Sequence, residues 1–120
     1  MRPDGYDTNG QYTTVKDLAC IGDEVMKSKI LSPIVSKYKL NYKYPDGREV
    51  RYENTNELIN TYSEYYYSNI KGLKLGSSLN AGKYLVSAAD IDNKTYICVV
   101  MGSTNKGRWL DSLCLYQSIK

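Results

Sequence analysis

Three stretches, about Ile70–Gly76, Lys83–Ala89 and Thr95–Met101, read as strands, and only Asn80-Ala81-Gly82 and Asp92-Asn93-Lys94 separate them. Links this short cannot cross a sheet, so the three strands must run antiparallel to their neighbours. The third is almost wholly apolar, which suits a strand covered on both faces. An earlier segment has the same period of two. Tyr38, Leu40, Tyr42 and Tyr44 fall on one side, and Lys37, Lys39, Asn41 and Lys43 on the other. The lysine side reads as a solvated strand face. Pro45-Asp46-Gly47-Arg48 has turn chemistry and Glu49–Tyr52 alternates again, so this pair predicts a hairpin.

Helical spacing appears at both ends. Thr14 is placed to cap a helix, with Asp17 returning the bond in a capping box. Val15, Leu18, Ala19, Gly22, Val25 and Met26 then share one face. Ser32-Pro33 suggests a second start, with Ile34 and Val35 as its apolar contact. Asn54-Thr55-Asn56 is placed to cap a short helix carrying Leu58, Ile59 and Tyr62. Asn105 is placed to cap a last helix, with Trp109, Leu110, Leu113, Tyr116 and Ile119 as its buried stripe. Tyr65-Tyr66-Tyr67 reads as loop packing. The fold class is therefore α+β, with an antiparallel sheet of about five strands and helices packed on it, and residues 1–120 are expected to form a single domain.

Composition excludes several functions. The net charge of +3 is too small to imply a nucleic-acid partner. No apolar run is long enough to span a membrane, and no charged start followed by an apolar stretch marks a signal peptide. Histidine is absent, so Ser-His or Cys-His catalysis within this chain is excluded. Cys20, Cys98 and Cys114 are widely spaced and form no Cys-x-x-Cys pair, so no metal site is expected. Each cysteine has apolar neighbours and reads as a small buried hydrophobe rather than a nucleophile or half of a disulfide. No cofactor is implied.

Several ordered pieces carry a family resemblance. Pro3-Asp4-Gly5-Tyr6-Asp7 comes first, then Tyr12-Thr13-Thr14-Val15-Lys16-Asp17-Leu18-Ala19. The hairpin before Asn54-Thr55-Asn56-Glu57-Leu58 follows. Gly72-Leu73-Lys74-Leu75-Gly76-Ser77-Ser78 leads to Asn80-Ala81-Gly82 and Leu85-Val86-Ser87-Ala88. Ile97-Cys98-Val99-Val100-Met101-Gly102 and Arg108 complete the order. The series resembles the C-terminal part of the penicillin-binding-type serine D-alanyl-D-alanine carboxypeptidases over nearly the whole chain. The resemblance implies a partial β-lactamase/transpeptidase-like fold, peptidoglycan stem peptides as the partner, and an extracytoplasmic or cell-envelope location.

Enzymes of this type combine a Ser-x-x-Lys nucleophile, a Ser-x-Asn motif and a Lys-Thr-Gly strand. The resemblance assigns substrate binding to Lys74, Leu75, Gly76 and Ser77. The strand would take up substrate as an added strand, Lys74 would supply positive charge, and the Ser77 backbone N–H would be one oxyanion donor. Lys74 reads equally well as an ordinary edge-strand lysine. Leu75 stands where the family has threonine, which removes a hydroxyl meant for the substrate carboxylate and costs on the order of 1.5–3 kcal/mol.

No catalytic residue is assigned. Ser36-Lys37-Tyr38-Lys39 and Ser68-Asn69-Ile70-Lys71 both spell Ser-x-x-Lys. The motif needs serine and lysine on one helical face. Ser36 leads into a strand, and Ser68 lies too close to Lys74 to form a separate wall of one cleft. Ser78-Leu79-Asn80 and Ser103-Thr104-Asn105 imitate Ser-x-Asn from turns. The expectation is a carboxypeptidase-type chain without its nucleophile and inactive alone. The rivals are a non-catalytic module that binds cell-wall peptides or a partner, and a structural piece completing a site with another polypeptide. Self-association through uncovered strand edges is also expected.

Overall fold

A computed structural model describes residues 2–119. Its elements are α1 (Val15–Lys27), α2 (Leu31–Val35), β1 (Lys39–Lys43), β2 (Glu49–Glu53), β3 (Ile70–Ser78), β4 (Gly82–Ile91), β5 (Lys94–Ser103) and α3 (Gly107–Gln117). All five expected strands form and all pairings are antiparallel. They divide between two sheets, a β1-β2 hairpin and a three-stranded sheet in the order β3-β4-β5.

Short turns set the register of the larger sheet. Asp92 and Asn93 both adopt positive φ, 48° and 61°, as a two-residue turn matching the strand twist requires. Ser78 then opposes Gly82 at one end of β4, and Ile91 opposes Lys94 at the other. β4 is the covered strand, with Leu85, Val86, Ser87, Ala88 and Ala89 all buried. On one face Leu85, Ala89, Cys98 and Val100 pack with Trp109 and Tyr116 of α3 and with Leu58 and Ile59 of the long loop. On the other, Val86 and Ala88 join Leu73, and Leu18, Val25, Met26 and Val35 close over them. Burying apolar side chains on both faces is what fixes the sheet between α1 and α3.

Within α1, Thr14 caps as its sequence suggests, its hydroxyl accepting the Asp17 N–H at 3.1 Å. The return bond of the capping box does not form among the described residues. Gly22 is the buried residue of α1 and lies close against the sheet. A Cβ there would lie 3.1 Å from Val86 and 3.2 Å from Ile97 and Leu73. Val15 is rotated out and 52 % exposed.

Other expectations need correction. The segment after Asn54 forms no helix. The Asn54, Asn56 and Asn60 side-chain oxygens accept N–H bonds from Asn56, Leu58 and Tyr62, each two residues ahead, so the asparagines make successive tight turns. Leu58 and Ile59 are buried by these turns, and Tyr62 is exposed. α2 begins before Ser32, because the Ser28 hydroxyl accepts from the N–H groups of Ile30 and Leu31. At α3 the Thr104 hydroxyl, not Asn105, takes the first free N–H, that of Gly107. Leu110 faces solvent, and Arg108, Trp109, Ser112 and Tyr116 fill the buried stripe. Cys98 is buried, whereas Cys20 and Cys114 are exposed; all three are free thiols. Tyr65 and Tyr67 do serve loop packing, stacking on Trp109 and Tyr116.

Candidate functional site

β3 pairs only with β4, so its outer edge carries backbone groups with no strand partner among the described residues. A groove of about 680 Å³ runs along that edge. Its floor is Lys74, Leu75, Gly76, Ser77 and Ser78, and its walls are Tyr84 and the N-terminal residues Asp4–Asp7. The four residues assigned to substrate binding thus line one groove.

Each has a distinct environment. Lys74 is exposed, and its ammonium donates to the Leu75 carbonyl at 2.5 Å. Leu75 is half-buried against the main core, opposite the fully buried Leu85, so its side chain belongs to the packing beneath the groove. Gly76 opposes Tyr84, and a Cβ on Gly76 would fall on the tyrosine ring and hydroxyl. Only glycine lets that aromatic ring cross the strand here. Ser77 is exposed, and its hydroxyl accepts from the Lys83 ammonium across the β3-β4 ladder.

Arg108 comes up beneath the same strand. It is 93 % removed from solvent by the packing of α3, with 7 % left exposed. Its Nη1 donates to the Gly76 carbonyl at 3.4 Å, its Nη2 to Asn105 Oδ1 at 2.9 Å, and its guanidinium lies over the Trp109 ring. Nε is buried without a hydrogen-bond partner. Burial lowers the pKa of this guanidinium. None of the ion pairs among the described residues involves Lys74, Lys83 or Arg108. Three cations thus lie about the Gly76-Ser77 segment without an ion-pair partner among the described residues, although Asp4 and Asp7 stand in the opposite wall of the groove.

The serine decoys are tied into structure. The Ser36 hydroxyl donates to the carbonyls of Ser32 and Lys71, and Lys39 lies on β1 beside Glu53. The Ser68 hydroxyl donates to Asn69, while Lys71 approaches Asp90 at 3.6 Å. Ser78 and Ser103 end β3 and β5 rather than lying in turns, and are engaged by the Ala81 N–H and the Asp111 carboxylate respectively. None of the four contributes to the groove with a free nucleophilic hydroxyl beside a lysine.

Sequence reasoning did not pick out Lys83, Tyr84 or the contact from Arg108 to Gly76. Lys83 and Tyr84 follow from counting back across the Leu79–Ala81 turn, which sets Ser77 against Lys83 and Gly76 against Tyr84. Nothing in the hydropathy pattern marks Arg108 as buried.

A second groove, of about 530 Å³, lies between the β1-β2 hairpin, α2 and β3. Ile34, Val35, Leu40, Tyr42, Tyr52 and Leu73 line it, and it meets the first groove at Lys74. There the Tyr38 hydroxyl donates to Glu53 at 2.7 Å. That bond lowers the Glu53 pKa and raises that of Tyr38.

The sequence profile of the D-alanyl-D-alanine carboxypeptidases matches residues 1–105. The D-alanyl-D-alanine carboxypeptidase DacA of Haemophilus influenzae is 32 % identical over 118 residues, covering 96 % of this chain and 28 % of that protein. The crystal structure of the Streptomyces K15 DD-transpeptidase superposes with a TM-score of 0.80 at 28 % identity, covering 94 % of this chain and 44 % of the other. A Mycobacterium tuberculosis D-alanyl-D-alanine carboxypeptidase shares the fold, with a TM-score of 0.77 at 23 % identity, covering 96 % and 44 %. The chain thus spans less than half the length of each of these relatives.

Proposed function

Because the chain belongs to the D-alanyl-D-alanine carboxypeptidase family, we propose that the outer edge of β3 receives the C-terminal end of a peptidoglycan stem peptide as an added strand. One observation carries this reading: the family's Lys-x-Gly segment, Lys74-Leu75-Gly76, lies on a strand edge with no strand partner among the described residues and with a groove beside it. In this reading backbone pairing supplies affinity, Lys74 supplies charge, and the Ser77 N–H is one donor to an oxyanion. A peptidoglycan peptide as substrate would imply a location at the cell envelope. No helix among the described residues is long and apolar enough to cross a membrane.

We further propose that these 120 residues alone do not turn substrate over. The reading is supported by the engagement of Ser36 and Ser68 in structural hydrogen bonds, with no lysine amine among the described residues bonded to either hydroxyl to act as its base. The second reading, a non-catalytic module binding the same peptides, is favoured by Leu75, a packing residue where the family motif has a hydroxyl. Binding of a fluorescent D-alanyl-D-alanine-ended peptide, with a fluorescent penicillin tested in parallel, decides the matter. Saturable peptide binding without a covalent penicillin adduct is expected. A stoichiometric adduct on any serine overturns the claim of inactivity, and absence of peptide binding overturns the assignment of the groove.

A third proposal concerns partners of the same kind. Among the described residues the outer edge of β5 is also without a strand neighbour, and Met101, Leu110 and Leu115 leave apolar surface nearby, 39 %, 54 % and 52 % exposed. We propose that two copies cover these edges by self-association, since unpaired edges recruit strands and a symmetric pair buries the same patch twice.

A further inference from the structure

Leu75 removes a hydroxyl from the strand that is read as holding a substrate carboxylate, and the structure supplies another one pleat further on. Residues 75 and 77 of a strand point to the same side, about 6.6 Å apart. Ser77 therefore presents its hydroxyl on the side of β3 from which the motif hydroxyl is missing. The ladder sets Lys83 directly opposite Ser77, and the Lys83 ammonium donates to Ser77 Oγ. An ammonium offers only donors, so Ser77 Oγ is fixed as the acceptor in that contact. Its own O–H is left free to donate to a further acceptor. Lys83 has no carboxylate partner among the described residues, so its charge is available to a ligand.

We propose that Ser77 and Lys83 form a carboxylate-recognition pair, in which the Ser77 hydroxyl donates to the terminal carboxylate of the bound peptide and Lys83 is the positioning residue behind it. The inference rests on reading β3 as the peptide-binding edge and adds the group that selects a free carboxylate. No bond is made or broken in this step. Two hydrogen bonds in series, from ammonium to hydroxyl and from hydroxyl to carboxylate, replace the single bond from the missing threonine. Charge-assisted bonds of this kind are short and about twice as strong as neutral ones.

The test uses the full chain and two pairs of probes, followed by NMR titration: N-acetyl-D-alanyl-D-alanine against its C-terminal amide, and N-acetyl-D-alanine against its amide. The acids should bind more tightly than the amides. Ser77→Ala and Lys83→Gln should each weaken acid binding about tenfold, equivalent to about 1.4 kcal/mol. Amide binding should weaken far less than acid binding in both variants. The double variant should lose no more than either single one, and Lys83→Arg should restore most of the preference for the acid. Equal losses for acid and amide, additive losses in the double variant, or unchanged acid binding in Lys83→Gln would each overturn the pair while leaving the peptide edge intact. Binding of N-acetyl-D-alanine that responds to both substitutions, with no binding of the dipeptide, overturns the peptide reading and retains the pair. No binding of either acid overturns both.

Discussion

The Ser87 hydroxyl on β4 and the Tyr116 hydroxyl on α3 lie 2.9 Å apart, with Ser87 fully buried and Tyr116 2 % exposed. This bond docks the last helix onto the central strand, and each partner is satisfied only through such contacts in an apolar layer. Tyr116→Phe and Ser87→Ala should each cost about 1–3 kcal/mol, because each strands a buried polar group. The double variant should cost clearly less than the sum. Denaturant unfolding of the four proteins measures the coupling; strictly additive losses would mean that the bond contributes nothing.

Burial raises the Tyr116 pKa well above the ordinary tyrosine value of 10.0. A group whose folded pKa is raised contributes stability that is fully present below its unfolded pKa and is lost as pH rises from that value toward the folded one. The chain should therefore lose stability as pH climbs above 10. Tyr116→Phe, less stable at neutral pH, should lose less over that window. Parallel thermal unfolding curves between neutral pH and the alkaline range check this, and identical slopes for the two proteins would sink it.

Gly72 should resist any side chain. Its φ is +117°, and a Cβ there would run into the Val35 carbonyl. Gly72→Ala combines an unfavourable backbone region with a clash against rigid main chain. A loss of more than about 1 kcal/mol is expected by denaturant unfolding. A neutral effect would mean that α2 is free to move away from β3.

Restoring the family hydroxyl should trade stability for affinity. Leu75→Thr withdraws apolar contact from the main core and should cost about 1–3 kcal/mol. It should also tighten binding of D-alanyl-D-alanine-ended peptides. Thermal melts and peptide titrations on the same sample measure the two effects, and an unchanged melt would place Leu75 outside the core.

Self-association should appear as a mass above 13.6 kDa at high concentration, falling toward that value on dilution. Charged substitutions at Leu110 and Leu115, on the exposed side of α3, should shift the balance toward monomer. Light scattering decides, and a 13.6 kDa species at every concentration would exclude it.

The three-stranded sheet was legible because turn chemistry and period agree. Asp92-Asn93 can only turn tightly, and the strand alternation on either side fixes the register. That the hairpin would stand as a separate sheet was not legible, since a period of two looks the same in either arrangement. The asparagines at 54 and 56 misled for a related reason. The side-chain oxygen that caps a helix also closes a two-residue turn, and the burial of Leu58 and Ile59 decided between them. On α3, Trp109 and Tyr116 of the expected stripe are buried, whereas Leu110 is exposed and Ser112, at spacings of three and four from them, takes the buried place between. Arg108 is buried through its stacking on Trp109 and its bond to Gly76, contacts that exist only once sheet and helix meet. The groove along Lys74–Ser77 was legible through family resemblance alone; Lys83 required the register.

Tyr84 has a consequence for how this strand can change over generations. Its ring occupies the space above Gly76, so any larger residue at 76 would be purged for misfolding even in a chain that never met a substrate. The glycine of the motif is thus no witness to catalysis here. Position 75 has no such veto, and leucine stands there where the family motif has threonine. A lineage that lost its chemistry would keep the glycine and vary beside it, leaving a motif that outlives its purpose.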